Sequence, residues 1–211
     1  MLSLLIGSLS LSLVHAMIPN HWIPLIAIGK AENWTTRQTI SATIIAGFAH
    51  TLSTVIVGII VGFAGYRLSR SYEETTVLVA PLVLIAIGII YIIIDLVRVH
   101  HHHHLQEDRI NRPKKNRSRI TLIASLSIAM FFSPCIELEA YFFQAGTQGW
   151  RGIILVSFIY TFVTVLFMSL LVYLGMRGIE KLKWHFLERH EKRVTGLVLI
   201  ALGFMSFFVR F

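Results

Sequence analysis

The chain has 211 residues, 55% of them hydrophobic and 14% charged, with a formal net charge of +8. A soluble globular domain carries about 25% charged residues, so this composition excludes a water-soluble domain and defines an integral membrane protein. A single cysteine, Cys135, excludes both a disulfide framework and an internal dithiol relay.

Six apolar blocks follow one another, at residues 2–28, 40–65, 77–97, 120–143, 153–175 and 194–208. Most are close to the ~20 residues that a helix needs to cross about 30 Å of hydrocarbon. None shows the alternation of a barrel strand, so an all-α membrane protein with six transmembrane helices is expected. The first block ends a hydrophobic run at Val14-His15-Ala16, which superficially resembles a cleavage site. It lacks a basic leader, however, and the apolar run resumes after Pro19, so it is read as the first membrane helix.

Within that block the stretch HAMIPNHW brings His15, Pro19, Asn20 and His21 into apolar surroundings. Proline in a helix interior removes a backbone hydrogen bond and costs about 3 kcal/mol or more. A helix break at Pro19 is therefore expected, and it would fold His21 back towards His15. Neutral imidazole is a good ligand for nickel, cobalt, zinc and iron(II); imidazoles bonding only to neighbouring helices are the alternative. In the second block Gly47, His50, Thr54, Gly58 and Gly62 share one helical face, a small-residue stripe suited to close packing that points His50 into the bundle, beside Thr51. Asp95, near the end of the third block, is placed three residues before Arg98 and is expected to pair with it.

Residues 100–118 form a polar, basic linker opened by His100, His101, His102, His103 and His104. It divides the chain into a three-helix repeat at 1–99 and a second at 119–211. The pentahistidine reads as a metal-collecting cytoplasmic tract or as a merely solvated loop. An odd number of helices per half makes the repeats inverted, a 3+3 arrangement found in many transporters. Overlaying the halves matches Pro19 with Pro134, Asn20 with Cys135 and Trp22 with Glu137, and then Thr51 with Thr161, Thr54 with Thr164 and Val55 with Val165. Helices 1 and 4 are thus expected to be broken by proline. Glu137 and Glu139 follow the second break, where a charge at a helix centre costs about 2.5–3.5 kcal/mol on insertion scales. A cation or a structural partner, such as a histidine or Arg151, must balance them.

If the N-terminus is outside, fifteen of the nineteen Lys and Arg residues fall in inside loops, leaving Arg67, Arg70, Arg151 and Arg210 outside. Both termini are therefore expected outside, in a bacterial-type inner membrane. Anionic lipid accounts for the net charge, so no nucleic-acid partner is expected.

These residues resemble those of a known family. His15-x4-Asn20-His21 is similar to the His-x4-Asp-His signature of nickel/cobalt transporters, and AHTLSTVIVG, residues 49–58, is similar to their second motif. A histidine-rich loop and a Pro-Cys opening the second half resemble nickel/cobalt efflux proteins of the wider lysine-exporter-type superfamily. The resemblance implies a secondary transporter, not an enzyme, that moves a divalent transition metal ion, probe candidates being nickel, cobalt, zinc, manganese and iron, with His15, His21 and His50 selecting the metal. Asn20 stands where the family has aspartate, and Glu137 or Glu139 would replace that charge.

The expected site thus comprises His15, His21, His50, Glu137 and Glu139 as metal ligands, with Asn20, Thr51, Thr54, Cys135, Thr161 and Thr164 along the path. No permanently bound cofactor is expected, with the metal ion as substrate, protons as coupling ion carried by His50 and Glu137, lipid as surroundings and a homo-oligomer as the assembled form. There is no Gly-x4-Gly-Lys-Ser/Thr loop for ATP. Two other functions fit the same residues: export of a small organic or inorganic solute, and a non-transporting assembly or redox partner that presents Cys135 to another protein's thiol.

Overall fold

The computed structural model describes residues 2–71, 73–97, 118–177 and 185–208; the pentahistidine, with the rest of 98–117, lies outside the described residues. In chain order the helices are α1 (Leu2–Met17), α2 (Pro19–Ala31), α3 (Thr36–Ser71), α4 (Glu73–Val97), α5 (Arg119–Phe131), α6 (Ile136–Thr147), α7 (Trp150–Met176) and α8 (His185–Phe208). Among the described residues the fold is entirely helical.

Its surface is that of a membrane protein. On α3 the exposed positions are large and apolar, among them Ile45, Phe48, Leu52, Ile60 and Phe63, while the buried ones are small or polar, including Ala42, Thr43, Ala46, His50, Ser53 and Thr54. The same inversion holds on α1, where Leu5, Ile6 and Leu9 face outward and Ser8, Ser12 and His15 face inward. Water would reverse that pattern; lipid favours it, because apolar side chains lose nothing against acyl chains and small residues let helix backbones approach.

By length and apolarity four helical stretches suffice to cross a membrane: Leu2–Ala31, Thr36–Ser71, Leu78–Val97 and Trp150–Met176. The pair α5 and α6, bent by 55° at its break, makes a fifth when counted as one span. The sixth apolar block does not stand alone: α8 begins at His185, nine residues before Val194, and its first half carries Glu188, Arg189, Glu191, Lys192 and Arg193.

Each of two helix interruptions has a proline beside it. Ile18, in extended conformation, separates α1 from α2, and Pro19 is the first residue of α2. Lacking an N–H, Pro19 leaves the His15 carbonyl without its helical donor, and that carbonyl accepts the Ile18 N–H instead, at 3.1 Å. In the other half Pro134 cannot reach the Met130 carbonyl, which accepts the Ser133 N–H at 3.2 Å. Cys135 then caps α6 in extended conformation, and its N–H donates to Thr54 Oγ1 at 3.3 Å. Buried helix ends require such partners.

Packing draws the two breaks together. α3 lies against α5, α6 and α7; α1 lies against α7; and α4 pairs along its length with α8. Two of these seams are backbone to backbone. A Cβ on Gly146 of α6 would collide with the Gly62 carbonyl of α3, and Gly88 of α4 and Gly196 of α8 each face the other's carbonyl oxygen. At one end of the α4–α8 seam, Asp95 pairs with Arg193 at 2.9 Å. This ion pair joins two helices; Arg98, the local partner suggested by the sequence, lies outside the described residues.

Candidate metal centre

The last turn of α1 carries His15, the first turn of α2 carries His21, and mid-α3 carries His50. Interrupting the helix at Ile18 removes the rotation that would otherwise separate His15 from His21. Their ring centroids are 4.5 Å apart, and His50 lies 5.4 Å from His15 and 4.9 Å from His21. His15 and His50 are buried, with their Nε2 atoms 3.1 Å apart. One nitrogen from each of these three imidazoles can face a common point.

The second half arrives at the same place. Cys135, the cap of α6, puts its Sγ 3.2 Å from His15 Nδ1, and its thiol donates to Glu137 Oε2 at 2.7 Å. His15, Cys135 and Glu137 form a second group of converging donor atoms. The carbonyl freed by Pro134 also takes part, because Met130 O lies 3.2 Å from His50 Nδ1, which must donate to it. The helix break in the second half therefore orients an imidazole belonging to the first.

Proton accounting along this chain of contacts is informative. From Met130 O through His50, His15 and Cys135 to Glu137 run four contacts. The carbonyl only accepts, and two neutral imidazoles and a thiol bring three protons. A fourth proton, on the Glu137 carboxyl, or a cation completes the four contacts.

A cavity of about 260 Å³ adjoins these groups and runs from the imidazoles past Pro134 and Glu137 to Tyr91, Lys192 and Thr195 on α4 and α8. Thr54 supports the site from α3: besides receiving the Cys135 N–H, it donates to the His50 carbonyl at 3.2 Å and accepts from the buried Tyr160 phenol at 3.4 Å.

Other residues expected at the site lie elsewhere or act locally. Glu139 belongs to neither donor group and does not line the cavity; both its carboxylate oxygens are buried without a hydrogen-bond partner among the described residues. Thr51 donates to the Phe48 carbonyl of its own helix, the Thr164 hydroxyl is buried and likewise unpartnered among the described residues, and Thr161 is half-buried. Asn20 is the second residue of α2. Residues that the sequence did not single out also enter the site, among them Tyr160, whose hydroxyl in an apolar run was the available signal, and Tyr91, Lys192 and Thr195, which only the pairing of α4 with α8 brings to the cavity.

Comparison of the chain with protein-family models, with curated proteins and with solved structures finds no match. The local chemistry therefore carries the functional assignment.

Proposed function

We propose that the chain is a secondary transporter of a divalent transition metal ion, of nickel/cobalt-efflux type within the lysine-exporter-type superfamily. In this reading six membrane helices form a 3+3 inverted repeat, α1–α2, α3 and α4 against α5–α6, α7 and α8, with helices 1 and 4 broken at Pro19 and Pro134. The observation that carries it is the convergence of His15, His21 and His50 beside a cavity, with the chain of contacts to Cys135 and Glu137 adjoining them. Imidazole nitrogen suits nickel, cobalt, zinc and iron(II), whereas calcium and magnesium prefer oxygen cages.

The repeat draws support from the packing. With α1 matched to α5 and α2 to α6, α1 against α7 corresponds to α5 against α3, and α2 against α7 corresponds to α6 against α3. The matched carbonyls of His15 and Met130 are freed by matched prolines. Placing the ion at the junction of two broken helices is the usual solution of inverted-repeat carriers, in which one half rocks against the other around a fixed site. The cavity extends towards the end of the bundle that holds Lys192 and the Asp95–Arg193 pair. In this reading the charge distribution makes that end cytoplasmic, and an ion loads from there for efflux from the cell, across an inner membrane with both termini outside. Protons are the coupling ion.

The test is transport of nickel, cobalt, zinc, manganese and iron(II) into and out of proteoliposomes. The intact chain is expected to move at least one of them down a gradient, and His21→Ala and His50→Ala are expected to stop it. Deleting residues 100–104 is expected to change apparent affinity or capacity and leave transport running, as for a collecting tract. Lys192, a cation on the cavity wall, favours a second reading, export of a small anionic solute. Transport of an anion that depends on Lys192, with no metal flux, would select it over the first.

A further inference from the structure

The two groups of donors differ in a way that assigns them different work. His15 belongs to both. Its Nε2 faces His50 and its Nδ1 faces Cys135. A neutral imidazole carries one lone pair and one N–H, so His15 offers either Nε2 or Nδ1 to an ion, according to its tautomer, and never both. The two ion positions that share His15 are therefore alternatives, one on each side of its ring.

We infer that His15 Nδ1, Cys135 Sγ and Glu137 Oε2 form a second metal station, distinct from the three-imidazole station and selective for thiophilic ions. The inference rests on the reading of the imidazole trio as a metal site. It is distinguished from it by sulfur, which the trio does not contain.

The donors lie closer together than an occupied site requires. Around a tetrahedral zinc-like ion, metal–sulfur bonds of about 2.3 Å and metal–nitrogen or metal–oxygen bonds of about 2.0–2.2 Å place neighbouring ligand atoms roughly 3.3–3.6 Å apart. The donors lie 3.2 Å apart from nitrogen to sulfur and 2.7 Å from sulfur to oxygen. An ion enters by opening these contacts by up to about 0.9 Å relative to that tetrahedral spacing. Glu137 is only partly buried and is free to swing by such an amount, while the cap of α6, tied to Thr54, holds Cys135 in place.

Charge decides which station binds more tightly. Three neutral imidazoles leave a divalent ion with its full charge, which is costly away from water. A thiolate and a carboxylate neutralise it. Coordination replaces the S–H bond of Cys135 with an S–metal bond, and the displaced proton is released to water. No electron changes hands. The ion thus meets a neutral nitrogen station and a charge-neutralising sulfur station, with the shared His15 ring between a donor group wholly in the first half and one completed by α6 of the second. Thiolate also narrows the substrate class: zinc, cobalt, nickel and cadmium are favoured, and manganese and magnesium are disfavoured.

The experiment uses the purified full chain in detergent with Co²⁺ as probe. The parent is expected to show an intense near-ultraviolet thiolate-to-cobalt charge-transfer band on titration. Cys135→Ser is expected to lose the band, to bind Co²⁺ more weakly by about tenfold or more, at the scale seen when metal sites lose supporting groups, and to lose the parent's preference for Cd²⁺ over Mn²⁺. His21→Ala, which touches only the imidazole station, is expected to keep the band. A parent that binds Co²⁺ without a charge-transfer band would overturn the second station and leave the imidazole site standing. A parent that binds no Co²⁺, Ni²⁺ or Zn²⁺ at all would overturn both. The parent's own spectrum decides the matter even if Cys135→Ser or Cys135→Ala fails to fold.

Discussion

His15→Ala is expected to abolish metal binding and transport more completely than any other single substitution. Each other ligand serves one donor group, whereas His15 serves both and also links them: its Nε2 lies 3.1 Å from His50 and its Nδ1 lies 3.2 Å from Cys135. Removing a group that merely orients a metal ligand loosens binding about 10- to 100-fold, so removing a ligand shared by two stations is expected to reach or exceed the upper end of that range. Equilibrium dialysis of the purified chain against Zn²⁺ or Ni²⁺ measures it. The substitution also leaves an apolar gap beside the Tyr160 ring, 5.8 Å from His15 between centroids, so helicity and elution volume are compared with the parent. His15→Gln, which keeps volume and polarity but not the imidazole, is expected to lose metal binding equally. Retention of parental affinity in His15→Gln would mean that the imidazoles are structural.

Gly146→Ala is expected to destabilise the fold more than any comparable single-methyl change. The added Cβ would meet the Gly62 carbonyl of α3, and the colliding atoms belong to backbone, so no rotamer relieves them. Overpacking of this kind costs about 1–3 kcal/mol, and here it pushes α6 away from the helix that carries His50. Gly47→Ala is the matched control. On the same helix α3, its nearest contact would be Val165 Cγ2 at 3.5 Å, an ordinary van der Waals distance. Gly47→Ala is expected to be neutral or slightly stabilising, since a helical alanine in open space gains about 0.4–1 kcal/mol over glycine. Thermal denaturation of the three proteins in one detergent, followed by circular dichroism, reads the difference. The metal affinity of Gly146→Ala is expected to fall as well, because Cys135 and Glu137 ride on the same short helix.

Much of the site was legible in the sequence because its causes are local. Pro19 and Pro134 stand beside interruptions, whereas Pro24 and Pro81 lie inside helices that continue through them, so a proline in an apolar run marks where a break can form without fixing that it does. The proximity of His15 and His21 follows from the first break. Placing His50 needed only the helical period of small residues on α3. Cys135 and Glu137 were visible as a polar pair after Pro134, but their approach to His15 depends on how α6 packs on α3, a tertiary fact. For the same reason the alternation of Glu137 and Glu139 was ambiguous: two residues apart on a helix, they point to different sides, and only packing decides which side holds the cavity. Lys192 was read as loop because charge masks helix in a hydropathy profile, yet α8 begins at His185 and carries that lysine onto the cavity wall. Asp95 shows what sequence order hides: its described partner, Arg193, lies across the α4–α8 seam, while Arg98 lies outside the described residues.

The account stands or falls on whether imidazoles from the first half hold a metal ion. X-ray absorption at the zinc edge, on the purified full chain loaded with one equivalent of Zn²⁺, tests this most directly. The predicted spectrum has two or more imidazole nitrogens at about 2.0–2.1 Å where the three-imidazole station is filled, or one imidazole nitrogen with one sulfur at about 2.3 Å where the Cys135 station is filled, and the nitrogen signal falls in His15→Gln. A coordination shell of oxygen alone, or zinc that washes off without a stoichiometric complex, would contradict it.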